Sequence, residues 1–197
     1  GAYWGIAKAL WNWINLTGYN LLATGTNLKY YIQNTSGGAF NDVTPIRLTN
    51  AAVGNAFTTN TTTNSGGYTT ITVTDPGHGA QAGDFVNISA VSGNVNGVLA
   101  TALTNEFQIV TYVSSSQYTI LVSGTATSSG TPAVSATFNY QLTTGNTTFT
   151  YGVGWGAGGW GGVTTGYTST GWGAAAPAGL GVGVQLRLWS QSNYGED

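Results

Sequence analysis

The sequence predicts an all-β fold. A β-meander in two parts, residues 1–50 and 151–197, receives a small antiparallel β-barrel or sandwich inserted over residues 51–150. Three observations carry this expectation. Apolar and polar residues alternate in short runs such as "YTTITVTD" (68–75) and "SATFNYQL" (135–142), the spacing of strands buried on one face. Clusters of Gly, Asn, Asp, Ser and Thr separate the runs, and these are the residues that turn a chain. The 197 residues are 41% hydrophobic and 12% aromatic, enough to bury a core, yet only 5% are charged, against about 25% in an average soluble domain.

Each element follows in order. "ALWNWINLTG" (9–18) places Trp11, Trp13 and Asn15 on one face of a strand and Leu10, Asn12, Ile14 and Leu16 on the other. A short helix over 4–13 competes, because Ile6, Leu10 and Trp13 also stand at helical spacing. "NLLATGT" (20–26) and "LKYYIQN" (28–34) follow after tight polar turns at Thr17-Gly18 and Thr26-Asn27, the pattern of a meander. "SGGAFNDVTPIRL" (36–48) gives a fourth short strand ended by Pro45, since proline lacks the N–H that a sheet interior needs. "TNAAVGNAFTTNTTTNSGG" (49–67) reads as a connector or edge strand.

The inserted unit then supplies about five strands over 68–142. "YTTITVTD" leads through the turn-rich "DPGHGAQAGD" (75–84) to "FVNISAV" (85–91). After a longer excursion at 92–105, "EFQIVTYV" (106–113) and "QYTILV" (117–122) form a hairpin across Ser114-Ser115-Ser116. "SATFNYQL" is the last strand before a glycine belt, and "GVGVQLRLWSQSNYG" (181–195) returns to strand character. The outer parts, residues 1–50 and 151–197, make sheets too small to cover both their faces, so neighbours must supply the rest.

Charge and composition exclude several functions. The net charge is −2, and the four basic residues are scattered at Lys8, Lys29, Arg47 and Arg187. They cannot neutralise a phosphate backbone, so no nucleic-acid partner is expected. No apolar run approaches the roughly 20 residues of a spanning helix, so no membrane span is expected. A secretory signal pattern is also missing from the front. Absence of cysteine removes disulfides, thiolate catalysis and cysteine metal sites together.

The belt "YGVGWGAGGWGGVTTGYTSTGWG" (151–173) holds ten glycines, three tryptophans and no charge. Its "GWGAGG" matches the dinucleotide fingerprint formally, but no helical pattern follows and no acid lies between Phe107 and Leu186. The glycines instead permit close backbone approach, and the large aromatic rings anchor the crossing. Trp155, Trp160, Tyr167 and Trp172 are the candidate contacts, for assembly or for a glycan. His78, the only histidine, sits in a turn between Asp75 and Asp84; one His and two spaced carboxylates are too few for a metal site. The other acids, Asp42, Glu106, Glu196 and Asp197, form no pair in sequence for glycoside hydrolysis. No cofactor, metal or catalytic residue is therefore expected, and the chain is expected not to be an enzyme.

Three stretches in order carry a family resemblance. They are "LLATGTNLKYYIQNTSGGAFNDVTPIRL" (21–48), "ITVTDPGHGAQAGDFVNISAV" (71–91) with "EFQIVTYVSSSQYTILV" (106–122), and the Gly/Trp belt leading into "LRLWSQSNYGED" (186–197). Together they resemble virion structural proteins of tailed bacteriophages, particularly short-tailed marine types. The second stretch is similar to the FCCH-like β module that such proteins carry as an insertion. The resemblance implies a noncatalytic virion component, most directly of the tail (nozzle, hub or adaptor), with propeller-like outer sheets. It implies partners among copies of itself and other virion proteins; the alternative is a receptor- or glycan-binding module of a tail fibre, meeting a host-surface glycan. The continuation expected after Asp197 is absent, so either the chain is a fragment or symmetric copies complete the sheets.

Overall fold

The structure, a computed structural model, describes residues 3–34, 38–144, 148–151, 181–184 and 189–190. The first four strands are β1 (Ala7–Ile14), β2 (Asn20–Thr26), β3 (Tyr30–Asn34) and β4 (Phe40–Asp42), and they form one antiparallel sheet in that order. The turns are built by side chains. Asn15 Oδ1 accepts from the N–H groups of Thr17 (3.1 Å) and Tyr19 (2.8 Å), with Gly18 at φ +82 completing the reversal. At the next turn the Thr26 hydroxyl oxygen accepts from the N–H groups of Leu28 and Lys29. Both are local polar closures of the kind Asn and Thr supply.

The competing helix over 4–13 does not form. Gly5 sits at φ +92, outside the right-handed helical region, and β1 pairs residue by residue with β2 from Leu10↔Thr24 to Ile14↔Asn20. Pairing across the sheet overrides the helical spacing of three apolar side chains.

The expected fourth short strand, ended by Pro45, is β4. Residues 40–42 close the first sheet, whereas beyond Pro45 the chain enters β5 (Ile46–Val53), which belongs to the next layer. There follow β6 (Phe57–Thr58), β7 (Asn64–Ser65), β8 (Tyr68–Thr74), β9 (Phe85–Ser89), a single helical turn α1 (Ala100–Leu103), β10 (Glu106–Gln108), β11 (Thr111–Ser114), β12 (Gln117–Ser123) and β13 (Ala136–Gln141). Two antiparallel sheets result, in the orders β10-β9-β13-β5 and β11-β12-β8-β6, with β7 also on β8. They face each other as a sandwich rather than a closed barrel. Ile71 and Val73 of β8 with Ile120 and Val122 of β12 pack against Val86 and Ile88 of β9 and Phe138 of β13, all fully buried in one core. Phe57 and Phe138 meet edge-on across the two sheets at 5.9 Å. The alternation in β8 and β12 drives this layering, since every second side chain is sealed.

"EFQIVTYV" differs from its expected form as one arm of a hairpin. It breaks at Ile109-Val110 and changes sheet: β10 pairs with β9, and β11 alone forms the hairpin with β12. The Ile109 N–H donates to Asp84 O and the Val110 N–H to Thr119 O, so each residue at the corner is held by a different sheet. Strands that switch sheets make the corners of a sandwich.

Beyond the sandwich, β14 (Thr148–Tyr151) and β15 (Gly181–Val184) pair antiparallel, Tyr151 opposite Gly181. Residues 152–180, with the candidate contacts Trp155, Trp160, Tyr167 and Trp172, lie outside the described residues.

Candidate assembly surface

The register of the first sheet sorts its side chains onto two faces. Leu10, Asn12 and Ile14 of β1 share one face with Leu22 and Thr24 of β2, Tyr31 and Gln33 of β3, and Phe40 and Asp42 of β4. The N-terminal arm covers the β3–β4 end of this face, with the Tyr3 ring 5.1 Å from Phe40 and 6.2 Å from Tyr31. The β1 end stays open: Leu10 is 64% exposed, Ile14 67% and, just past the strand, Leu16 86%. Single exposed leucines are ordinary, whereas aligned ones on a sheet face form a contact patch.

On the opposite face Trp189 returns from far along the chain. Its indole N–H donates to Thr26 O at 2.6 Å, and its ring lies 5.2 Å from Tyr30. Gly25 makes room for it, since a Cβ there would lie 2.6 Å from Trp189 Cγ.

A buried cation joins the first sheet to the sandwich. Lys29, 1% exposed, donates from Nζ to Asp42 Oδ2 of its own sheet and to Glu106 Oε1 of β10, both at 2.5 Å. The same ammonium stands 4.3 Å above the ring of Phe85 in β9. Gln141 donates to the other Glu106 oxygen (2.7 Å), and the Thr44 N–H and hydroxyl to the other Asp42 oxygen. Burial alone raises the Asp42 carboxyl pKa; the hydrogen bonds from Lys29 and Thr44 more than reverse this and hold it below the ordinary carboxylate value.

A second polar network lies inside the sandwich. Asn50 donates to both oxygens of the buried Asp75, at 2.9 and 3.0 Å, and the Tyr140 hydroxyl donates to Asp75 Oδ2 at 2.6 Å. With that single proton engaged, Tyr140 accepts from the Tyr118 hydroxyl 3.0 Å away. Burial pushes both phenol pKa values far above the ordinary range, and for Tyr140 the neighbouring Tyr118 and Asp75 add to it. His78 is sealed beside these rings. Its Nδ1 accepts from the Ala80 N–H and its Nε2–H donates to Ser114 O, each at 3.0 Å. Both ring nitrogens thus serve the turn. The Asp84 carboxylate accepts from the Gln81 N–H instead. Among the described residues no group of three or more His, Cys, Asp or Glu side chains gathers to hold a metal.

Sequence reasoning found the alternation of β1 but missed the Lys29 junction and the Asp75–Tyr140–Tyr118 relay. Lys29 and Glu106 are 77 positions apart, and Asp75 and Tyr140 are 65. The local signal was the parity of Lys29 with Tyr31, which assigns it to the inner side of the sheet.

No family model matches the chain, and no curated protein matches it. Among solved structures it has a distant likeness to the phage phi92 endosialidase, at 17% sequence identity and a TM-score of 0.36, covering 70% of this chain. The aligned region spans 17% of that protein's length. A likeness this low assigns neither fold nor activity.

Proposed function

We propose that the chain is a structural component of a bacteriophage virion, most directly of its tail, that works through assembly contacts with copies of itself and with other virion proteins. The observation that carries the assembly role is the open face of the first sheet, where Leu10, Ile14 and Leu16 present their side chains to water. Burying one such side chain contributes about 1.5–3 kcal/mol. A surface nearly free of charge lets copies meet without desolvating ions. The particle assignment rests on the resemblance of the three ordered stretches to virion structural proteins of tailed phages.

Light scattering of the purified chain over a wide concentration range tests the assembly role. The expected result is a mass that rises above that of one chain as concentration increases. A stable, strictly monomeric species at high concentration, with no partner recovered from the particle, contradicts it.

A further inference from the structure

We propose that the cleft between the N-terminal arm and the β10–β12 side of the sandwich binds a neutral oligosaccharide. The cleft has a volume of about 1020 Å³, at the top of the range for small-ligand sites. Trp4 of the arm, Tyr68 of β8, Leu121 of β12, Asn105, and Glu106 and Gln108 of β10 line it.

Two aromatic rings in this lining face water, Trp4 at 56% exposure and Tyr68 at 47%. Trp4 is held in place rather than frayed. Its backbone N–H donates to the Tyr31 hydroxyl oxygen at 3.0 Å, and its ring stands edge-on to Phe85 at 5.6 Å. Two residues on, Ile6 and Asn27 exchange bonds, the Ile6 N–H to Asn27 Oδ1 (2.7 Å) and the Asn27 N–H to Ile6 O (3.2 Å). Between them Gly5 takes φ +92, and a Cβ there would stand 2.7 Å from Asn27 Oδ1 and 2.8 Å from Thr26 Oγ1. Only glycine fits that backbone without strain. The fold thus fixes an exposed indole at the cleft, where a tryptophan with a purely packing role would be covered.

Half-exposed rings beside amides and a carboxylate meet the two needs of a sugar. Its C–H face stacks on an aromatic ring, and its hydroxyls take directed hydrogen bonds. Charge narrows the class further. The lining holds a carboxylate, Glu106, and no Lys, Arg or His, while Lys29 behind Glu106 is sealed from solvent. Glu106 is itself paired with Lys29, and the lining offers an anion such as a phosphate or an acidic sugar no accessible cation, so the ligand is neutral. The volume suits several sugar units rather than one. This site shares no residue with the Leu10–Ile14–Leu16 face and stands independently of the assembly role.

Isothermal titration and tryptophan emission test it, using the intact chain with cello-, malto-, manno- and chitohexaose, a sialic acid hexamer and an apolar peptide. The expected result is saturable binding of at least one neutral hexaose, weakened at least tenfold in Trp4→Ala and in Tyr68→Ala, with solution mass unchanged. If Trp4→Ala does not fold, Tyr68→Ala decides alone. Three results overturn the proposal: no neutral hexaose binds, the sialic acid hexamer or the peptide binds in preference, or the folded variants bind like the parent.

Discussion

Tyr140 shows what a single proton holds together. Its hydroxyl donates to Asp75 and accepts from Tyr118, so Tyr140→Phe strips a donor from a buried carboxyl and an acceptor from a buried phenol. An unsatisfied buried polar group costs about 1–3 kcal/mol. Denaturant unfolding is expected to show a loss of that size; an unchanged midpoint would mean that Asn50 alone suffices. Asp42 gives a pH dependence with a definite sign. Its carboxyl pKa is lowered in the folded state, so its contribution is present above the unfolded value of about 3.9 and lost as pH falls through the folded value. The thermal midpoint is therefore expected to fall across the window from about pH 4 downward. Asp42→Asn should be less stable at pH 7 and show a shallower fall over that window. Equal slopes in the two proteins would remove Asp42 from the account.

Strands are where sequence and structure meet most closely. β2 spans the expected residues 20–26, and β8 and β13 fall within a residue of their expected bounds, because alternation in those runs matches one buried face. The corner at Ile109-Val110 was not legible. Both halves of "EFQIVTYV" suit a strand, and only the separate demands of Asp84 O and Thr119 O split them. The seat of Trp189 was hidden for the same reason, since Gly25 and Trp189 are far apart in sequence. Gly25→Val should force the indole off β2, shifting tryptophan emission to the red and costing about 1–3 kcal/mol, the usual range for overpacking. Unchanged emission and stability would show that the contact carries no weight.

At the scale of the whole molecule, much of the sandwich core was legible as strand faces, but the device that ties it to the first sheet was not. Lys29, Asp42 and Glu106 are three of only ten charged residues in the chain, and they meet at the junction of the two units. Three charges thus meet at an internal joint, while Leu10, Asn12 and Ile14 on the open face at β1 carry none. On the proposed function, this face mates with another copy of the chain. Sedimentation equilibrium of the parent chain beside the double variant Leu10→Lys/Ile14→Lys tests it most directly. Both substitutions lie on an exposed face, so the fold should survive. Concentration-dependent association is expected in the parent and a monomer in the folded variant; a monomeric parent, or a variant that associates equally well, would contradict this pairing of copies.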